Sequence, residues 1–449
     1  MVKTPDAAPA YRVYTRKDID RIPELARLSA EDRLVMKAVS AVLPFRVNNH
    51  VVEALIDWDD VPGDRMYQLT FPQPGMLEEP DLHRMLELIH ADTSEAVIKA
   101  EARKIQMRLN PHPAGQVDLN VPTLHGEPVA GVQHKYKETV LFFPSAGQTC
   151  HAYCSYCFRW AQFVGLENLK FAAREADRLV EYLRAHKEVN SVLITGGDPM
   201  IMKTALLRRY IEPILKAGLD HITSIRIGTK ALAFWPYRFT TDGDADDLMR
   251  LFGEVRDAGK SLALMAHYSH PRELEPASAE TALRRVIDAG ATVRCQAPLI
   301  RHVNDNHHAW AKMWKTQVRL GAVPYYMFVE RDTGACNYFE VPLARAYNIF
   351  SRAYKMCSGL ERTVRGPSMS ATPGKVLVDG ISRIADEDVF SLRFVQGRNP
   401  DWVNRPFHAR FDPNATWLDD LEPAFGAEEF FFEAEMRQLS TPNAVPRAV

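Results

Sequence analysis

The chain has 449 residues, of which 46% are hydrophobic and 25% charged, and its formal charge at pH 7 is −2. This is the composition of an ordinary globular protein, and the balanced charge gives no reason to expect a nucleic acid or a membrane surface as a partner. No apolar run is long enough to cross a bilayer, and the N-terminus lacks the pattern of a signal peptide. We therefore expect a cytoplasmic protein.

The first part of the chain, residues 1–130, is predicted to be a helical region. Residues 28–43 carry apolar side chains at helical spacing after a Ser-x-Glu-Asp start, and residues 81–109 form a long, charged amphipathic stretch. A segment that contains proline and glycine, residues 110–133, then leads to the centre of the chain.

Short apolar runs alternate with amphipathic helical patterns across residues 131–358. The predicted strands are 139–144, 191–197, 224–229, 261–268, 291–299 and 324–329. The predicted helices lie near 172–186, 204–217, 244–258, 279–289, 307–320 and 342–356. Four helices are followed by a glycine suited to a left-handed C-cap, namely Gly218, Gly259, Gly290 and Gly321.

This alternation predicts an α/β fold with a parallel sheet covered by helices. Six such units are too few for a closed eightfold barrel and fit a partial (βα)6 barrel, with the active site at the C-terminal ends of the strands. Residues 359–449 lack the pattern, and we expect a C-terminal extension there, with a loop, short strands and a tail rich in proline and acidic residues.

Three of the six cysteines, Cys150, Cys154 and Cys157, lie directly after the first predicted strand. Three thiolates on a short loop can hold three irons of a [4Fe–4S] cubane and leave the fourth iron open. An open iron can bind S-adenosylmethionine (SAM) and reduce it to a 5′-deoxyadenosyl radical. The alternative is a zinc knuckle or a set of buried thiols, but zinc needs a fourth ligand and His151 is too close in sequence to serve comfortably.

A glycine pair and an acidic residue follow the second predicted strand. Gly196 and Gly197 would let the backbone approach a ligand, and Asp198 suits the ammonium group of the methionine part of SAM. By itself the motif also fits a simple turn. Its position one unit after the cysteines indicates a SAM site.

Eight segments together resemble the lysine 2,3-aminomutase family of radical SAM enzymes. They are LPFRVNNHVVEALID (43–57), HKY (134–136), CSYCFRW (154–160), LITGGDP (193–199), IRIGTKALAFWPYR (225–238), HYSHP (267–271), VND (303–305) and PYYMF (324–328). The resemblance implies the partial barrel, a homo-oligomer, and a radical isomerase that moves an α-amino group to the β-carbon. Such enzymes hold the substrate amine as an imine of pyridoxal phosphate (PLP).

The resemblance also assigns residues. It implies that Lys375, in the Thr-Pro-Gly-Lys sequence, binds PLP, and that Arg159 binds the substrate carboxylate through its planar fork. Their alternatives are an exposed loop lysine and an arginine that packs near the cluster. His267 and Lys135 are implied to be cofactor-binding residues.

The chain also departs from the family. Where the family has two arginines for the PLP phosphate, this chain has Lys135 and Thr139, and the glycine run before the PLP lysine is shortened. Asn306 follows VND and the C-terminus is not rich in cysteine, so we expect no zinc.

The substrate is not expected to be lysine. The two carboxylates that bind the lysine side chain align with Arg331 (Asp332 if the alignment slips by one) and Ser368. Because a guanidinium repels an ammonium group and attracts a carboxylate, an acidic or neutral polar amino acid is expected.

Two other functions stay open. One is a PLP-independent radical SAM mutase or epimerase, and the other is a non-catalytic iron–sulfur protein. The expected partners are the amino-acid substrate and a reducing protein such as flavodoxin or ferredoxin.

Overall fold

The computed structural model describes residues 9–110, 119–164, 172–174 and 176–439. Its helices are α1 Ala30–Val42, α2 Arg65–Thr70, α3 Glu79–His90, α4 Glu95–Arg108, α5 Asp177–Ala185, α6 Thr204–Lys216, α7 Ala231–Phe234, α8 Ala245–Asp257, α9 Ala277–Asp288, α10 His307–Arg319, α11 Cys336–Phe339, α12 Leu343–Lys355 and α13 Glu433–Leu439. Within these ranges, no helix combines the length and the apolar character needed to cross a membrane.

The strands form one large sheet and two small pairs. They are β1 Val13–Thr15, β2 Arg46–Asn48, β3 Thr123–Leu124, β4 Glu127–Pro128, β5 Val132–Tyr136, β6 Thr139–Phe142, β7 Ser191–Ile194, β8 Ser224–Thr229, β9 Ser261–His267, β10 Thr292–Leu299, β11 Val323–Val329, β12 Arg365–Ser370, β13 Gly374–Ile384, β14 Glu387–Gly397 and β15 Pro406–Arg410.

The large sheet holds its eleven strands in chain order, from β5 to β15. The strands from β6 to β12 run parallel, and antiparallel strands flank them on both sides. All six strands predicted for the centre of the chain are present, and a helix lies within each of the six predicted helical segments. The four glycines that follow helices have φ values of 64°, 72°, 97° and 85°, which confirms the left-handed C-caps.

Helices α1, α3 and α4 fall on the two N-terminal segments that carry helical patterns. Helix α1 is capped as expected, because Ser29 Oγ accepts a hydrogen bond of 3.0 Å from the Asp32 amide. The amphipathic stretch 81–109 holds two helices, α3 and α4, separated by a turn in which Asp92 has a φ of 51°. Asp is among the few residues that adopt this conformation readily, and Ser94 is the N-cap residue of α4.

The C-terminal region extends the sheet more than expected. The prediction of short strands is wrong for β13 and β14, which have 11 residues each. A two-residue turn joins them, Ala385-Asp386, with positive φ at both positions, the geometry that fits the twist of a hairpin. Strand β12 adds a seventh parallel strand, so the sheet continues without a break past residue 358.

Candidate active site

Parallel strands bring the predicted motifs to one edge of the sheet. Strands β6 and β7 pair in parallel, with Phe142 opposite Ile194 at their C-terminal ends. The cysteine loop follows β6 and the segment Gly196–Asp198 follows β7. Their backbones meet directly, because the Asp198 amide donates a 2.7 Å hydrogen bond to the Thr149 carbonyl.

The N-terminal region holds the cysteine loop in place. Asn48 Nδ2 donates to the carbonyl oxygens of His151 (3.2 Å) and Phe234 (2.9 Å), and Asn48 is fully buried. Tyr11 Oη also donates to the His151 carbonyl, at 3.0 Å, and Ser155 Oγ donates to the Leu69 carbonyl at 2.9 Å. The sequence predicted this region only as helical and gave it no part in the site.

The three clustered thiols lie close together in an apolar environment. Burial raises the pKa of Cys154 to about 12 and the pKa of Cys157 to about 11, and the neighbouring thiols contribute to the rise at Cys154. Burial, followed by Asp198 and the other two cysteines, raises the pKa of Cys150 as well. Three such thiols favour a bound cation that compensates their thiolates, and this fits a cluster.

The thiols do not surround one point. In the described part of the chain, no group of three or more His, Cys, Asp or Glu side chains stands in position to hold a single metal ion. A cubane requires no such convergence, because each cysteine binds a different iron. The arrangement therefore fits a [4Fe–4S] cluster with one iron left open.

A buried polar network lies next to Cys154. Tyr156 Oη lies 2.8 Å from His267 Nε2 and 3.0 Å from Ser269 Oγ. Lys230 Nζ forms an ion pair of 2.7 Å with Glu273 and donates to Ser269 Oγ at 3.1 Å. Burial, and then the charge of Lys230, lowers the pKa of His267 well below its usual value, so the ring is neutral. If His267 binds a cofactor as predicted, it does so with a ring whose Nε2 is already hydrogen-bonded to Tyr156.

Gly196 and Gly197 lack side chains because the protein itself fills that space. A Cβ at Gly196 would lie 2.3 Å from Gln148 Nε2, and one at Gly197 would lie 2.5 Å from the Thr149 carbonyl oxygen. The glycine pair thus allows two loops of the protein to approach each other, where the sequence had suggested approach to a ligand.

Asp198 has protein partners for both of its carboxylate oxygens. Oδ1 accepts from the Met200 amide at 2.9 Å, Oδ2 accepts from the Lys230 amide at 2.8 Å, and both lie within 3.0 Å of Thr229 Oγ1. A carboxylate offers about four acceptor sites, and these three donors use three of them, because the Thr229 hydroxyl has a single hydrogen. The side chain ties the end of β7 to the end of β8, and the predicted ammonium contact would have to compete with these bonds.

Arg159 lies beside the cluster loop with its guanidinium largely free. Its Nη2 donates to Gln162 Oε1 at 2.7 Å, and its guanidinium carbon lies 4.5 Å from the centre of the Phe143 ring. The Nε atom is buried without a hydrogen-bond partner. Burial lowers the pKa of Arg159 to about 10, and Cys157 and Cys150 partly offset this effect. The side chain is charged at neutral pH and available to an anion.

Lys375 lies on strand β13, so its predicted place in a loop is wrong. Its Nζ donates to Gln396 Oε1 at 2.8 Å and lies 4.9 Å from the centre of the Tyr326 ring. Burial, followed by the charges of Arg226 and Arg365, lowers the pKa of Lys375 to about 7. The lowered pKa favours the uncharged amine at neutral pH more than at an ordinary lysine, and this is the form that attacks an aldehyde.

Lys375 belongs to a cationic cluster, which consists of six residues on β5, β8, β12 and β13 or directly after β11 and β14. Its members are Lys135, Arg226, Arg331, Arg365, Arg398 and Lys375. Burial, and then Arg398, Arg331 and Lys375, lowers the pKa of Lys135 well below its usual value. Within the described ranges, none of the six forms an ion pair with a carboxylate. Such a cluster favours an anionic ligand.

Three members of this cluster, Arg226, Arg365 and Arg398, were missed by the sequence analysis. A signal did exist for Arg226, because a charged residue interrupts an otherwise apolar strand, SIRIGT. Arg398 follows β14 and donates to the Thr372 carbonyl at 2.9 Å. No local pattern reveals that contact, since it depends on the hairpin.

Arg331 belongs to the cationic cluster, whereas Glu330 also lies toward the iron site. The charge of Arg331 lowers the pKa of Lys135, and its guanidinium carbon lies 5.5 Å from the centre of the Phe158 ring; its Nε is buried without a hydrogen-bond partner among the described residues. The charge of Glu330 raises the pKa values of Arg331, Tyr156 and Cys157. Ser368 is fully buried with no hydrogen-bond partner for its hydroxyl.

Comparison with known proteins gives relatives along most of the chain. A protein of Aquifex aeolicus assigned as an L-lysine 2,3-aminomutase is 28% identical over 404 residues, 90% of this chain and 93% of the relative. The L-lysine 2,3-aminomutase of Bacillus subtilis is 25% identical, over 65% of this chain and 64% of the relative. That of Acetoanaerobium sticklandii is 26% identical, over 59% of this chain and 60% of the relative. No sequence model of a protein family matches.

Among solved structures, a radical SAM methyltransferase from Sphaerobacter thermophilus aligns with a TM-score of 0.37 and 15% identity, over 65% of this chain and 94% of that one. SuiB of Streptococcus suis bound to S-adenosylmethionine aligns with a TM-score of 0.34 and 14% identity, over 61% of this chain and 56% of that one. Likeness at this level carries no argument about fold or function.

The cysteine loop and the similarity to curated L-lysine 2,3-aminomutases support a radical SAM enzyme of the isomerase class. Within that class the chain is a divergent relative of the L-lysine 2,3-aminomutases. That family uses a [4Fe–4S] cluster, SAM and PLP, the cofactors predicted from the sequence.

Proposed function

We propose that the chain is a PLP-linked 2,3-aminomutase for an α-amino acid other than lysine. One observation carries the proposal: Lys375, whose pKa is lowered by burial to about 7, lies in a cationic cluster that forms no ion pair with a carboxylate among the described residues. A catalytic amine and an unfilled anion site in one place suit a phosphorylated aldehyde.

The cluster loop and the cationic cluster are linked by contacts. The ring of Phe158, next to Cys157, lies under the guanidinium of Arg331. The positive charge of Arg331 in turn lowers the pKa of Lys135. Lys135 Nζ donates to the Ala371 carbonyl at 2.5 Å, four residues before Lys375. A radical formed at the iron site therefore has a substrate within reach if that substrate is held at Lys375. This arrangement supports the partial (βα)6 barrel, with residues 131–358 as its frame.

Five of the predicted residues have a part in the proposed reaction. Cys150, Cys154 and Cys157 would hold the cluster, which would supply the electron for reductive cleavage of SAM. Arg159 would bind the α-carboxylate of the substrate as a planar fork. Lys375 would hold PLP, whose conjugated ring would delocalise the unpaired electron while the amino group migrates.

Arg331 is proposed to set the charge of the substrate side chain. It is buried and faces the cationic cluster, and burial lowers its pKa while Asp332 and Glu330 raise it. A lysine ammonium next to Arg331, Lys135 and Arg398 would be repelled, whereas a carboxylate would be attracted. We therefore propose a glutamate-like substrate, followed by neutral polar amino acids.

Borohydride reduction of the PLP-treated protein tests the proposal. We expect peptide mapping to recover the reduced label on Lys375, with no label at that peptide in the Lys375→Met variant. A turnover screen of amino acids with SAM, a reductant and PLP then identifies the substrate. Radical turnover without any borohydride-reducible link to Lys375 would favour the PLP-independent mutase or epimerase.

A further inference from the structure

The loop after β11 and the cysteine loop are joined by two contacts with the same spacing. The guanidinium carbon of Arg331 lies 5.5 Å from the centre of the Phe158 ring. Two residues further along each loop, Trp160 Nε1 donates a 3.1 Å hydrogen bond to Thr333 Oγ1. The second contact is therefore placed to hold the first one in register.

The hydroxyl of Thr333 also reaches the N-terminal region. Its Oγ1 donates to the carbonyl oxygen of Leu109, the C-cap residue of α4, at 3.3 Å. The Gly334 amide donates to the same oxygen at 2.8 Å. A hydroxyl donates through its one hydrogen and accepts through its lone pairs, so both hydrogen bonds of Thr333 can form together. Three segments that are distant in the sequence thus meet at one side chain.

Trp160 and Gly334 leave little room at this junction. Trp160 is 2% exposed, and its indole N–H, which can only donate, finds its acceptor in Thr333. Gly334 has a φ of 68°, and a Cβ at this position would lie 2.9 Å from the indole Nε1. The glycine allows both the left-handed backbone and the close approach to the indole. A junction packed in this way restricts the backbone on either side of it.

The junction acts on Arg331 through the main chain. The Thr333 amide donates a 2.9 Å hydrogen bond to the Arg331 carbonyl, with only Asp332 between the two residues. We propose that Thr333 is a positioning residue, which holds Arg331 over Phe158 and toward the bound amino acid. The effect on substrate choice rests on the proposed function, in which Arg331 selects the charge of the substrate side chain.

Thr333→Val tests the positioning role, because valine has nearly the same shape and removes both hydrogen bonds of the hydroxyl. The reaction of each arginine with phenylglyoxal is followed by peptide mapping of the anaerobically reconstituted protein. We expect Arg331 to react about 5-fold faster than in the wild-type protein, the scale of one lost hydrogen bond, while Arg226 in the same digest is unchanged. Thr333→Ser keeps the oxygen and should restore the wild-type rate at Arg331.

Thr363→Val is the matched control, because the Thr363 hydroxyl donates to the Pro324 carbonyl near the other end of β11. This variant should leave Arg331 at its wild-type rate. Equal increases at Arg331 and Arg226 in Thr333→Val would indicate general loosening, and they would overturn the positioning role, as would an unchanged Arg331. If Thr333→Val does not fold, Trp160→Phe removes the same hydrogen bond from the indole side and is judged by the same outcomes.

Kinetics with the best substrate of the turnover screen separate this inference from the proposed function. We expect Thr333→Val to raise KM about 5-fold with little change in kcat, because Arg331 acts in binding of the side chain, and Thr333→Ser to restore KM. If Arg331 reacts faster but KM is unchanged, Thr333 positions Arg331 and the charge argument of the proposed function fails. If Arg331 reacts at the wild-type rate, the positioning role fails while the role of Lys375 stands.

Discussion

The hydroxyl of Tyr156 lies 2.8 Å from Nε2 of His267. Tyr156 stands between two cysteines of the iron site in the sequence, and His267 is the last residue of β9. The same hydroxyl lies 3.0 Å from Ser269 Oγ, and all three side chains are withdrawn from water. Tyr156 thus connects the cysteine loop to a strand that contributes none of the cysteines.

Replacement of Tyr156 by phenylalanine should destabilise the chain. Two buried polar atoms would lose their partner, which costs about 1–3 kcal/mol in the free energy of unfolding. Tyr354→Phe is the matched control, because the Tyr354 hydroxyl bonds the Arg362 carbonyl in an exposed place and should cost little. The midpoint of urea denaturation of the anaerobic protein is the measurement, and equal midpoints for the two variants would contradict the role of this contact.

Gly197→Ala should be more damaging than an alanine at an open glycine. Its Cβ would lie 2.5 Å from a carbonyl oxygen and 2.6 Å from an amide nitrogen of Thr149, and neither backbone atom can move without shifting the cysteine loop. We expect a loss of about 3 kcal/mol together with a reduced iron content. Gly243→Ala, where no heavy atom lies within 4 Å of the added carbon, should leave both nearly unchanged. Thermal unfolding and iron analysis check the pair.

The structure shows why the strands could be read from the sequence and the site only in part. The parallel strands are short apolar runs, four of them preceded by a helix that ends at a glycine cap, and such local patterns survive folding. The amphipathic pattern of residues 81–109 does not show where α3 ends and α4 begins, because the left-handed backbone of Asp92 leaves no mark in the periodicity. The position of Lys375 on β13 depends on pairing with β12 and β14, which no local pattern shows.

The roles of single residues depended even more on tertiary contacts. The carboxylate of Asp198 suits an ammonium group by its chemistry, but Thr229 and Lys230 from the next strand take its acceptor sites. No role could be assigned to Arg226 from the sequence, because it lies near Thr139 and Lys375 only after three separate segments of the chain have come together. By contrast, the spacing of the three cysteines was enough to expect them near one another, since a short loop forces them together.

The cysteines should differ sharply in their effect on SAM cleavage. Replacing Cys150, Cys154 or Cys157 by alanine is expected to abolish reductive cleavage, because a cubane that loses a thiolate ligand is not held in place. Cys336→Ala should retain cleavage, as this thiol lies in α11 and belongs to no cluster spacing. Formation of 5′-deoxyadenosine by the anaerobically reconstituted protein is the readout. Wild-type cleavage by Cys154→Ala would contradict the assignment.

Lys375 should react at a lower pH than other lysines. Since its pKa is lowered to about 7, the neutral amine is present above this pH and is lost as the pH falls below it. Competitive labelling with acetic anhydride from pH 5 to 10 should give a half-maximal rate at Lys375 near pH 7. Exposed lysines of ordinary pKa near 10 supply the reference in the same digest. A midpoint above pH 9 would show that the amine is solvated and charged.

The last prediction concerns the charge of the substrate side chain. Arg331→Asp places a carboxylate beside Lys135, at the position that the resemblance aligns with a carboxylate of the lysine-acting enzymes. The variant no longer repels a cationic substrate side chain, and it no longer attracts an anionic one. We expect kcat/KM for a glutamate-like substrate to fall by at least about 100-fold, the scale of a lost buried charge pair. Turnover of L-lysine should rise from a negligible level.

Arg362→Asp carries the same change of charge on an exposed residue after α12 and should leave both rates as they are. The screen measures formation of the β-amino acid for each substrate with each variant. Efficient conversion of L-lysine to β-lysine by the wild-type protein would refute the charge argument. In that case Arg331 would point away from the substrate, and Arg331→Asp should change little.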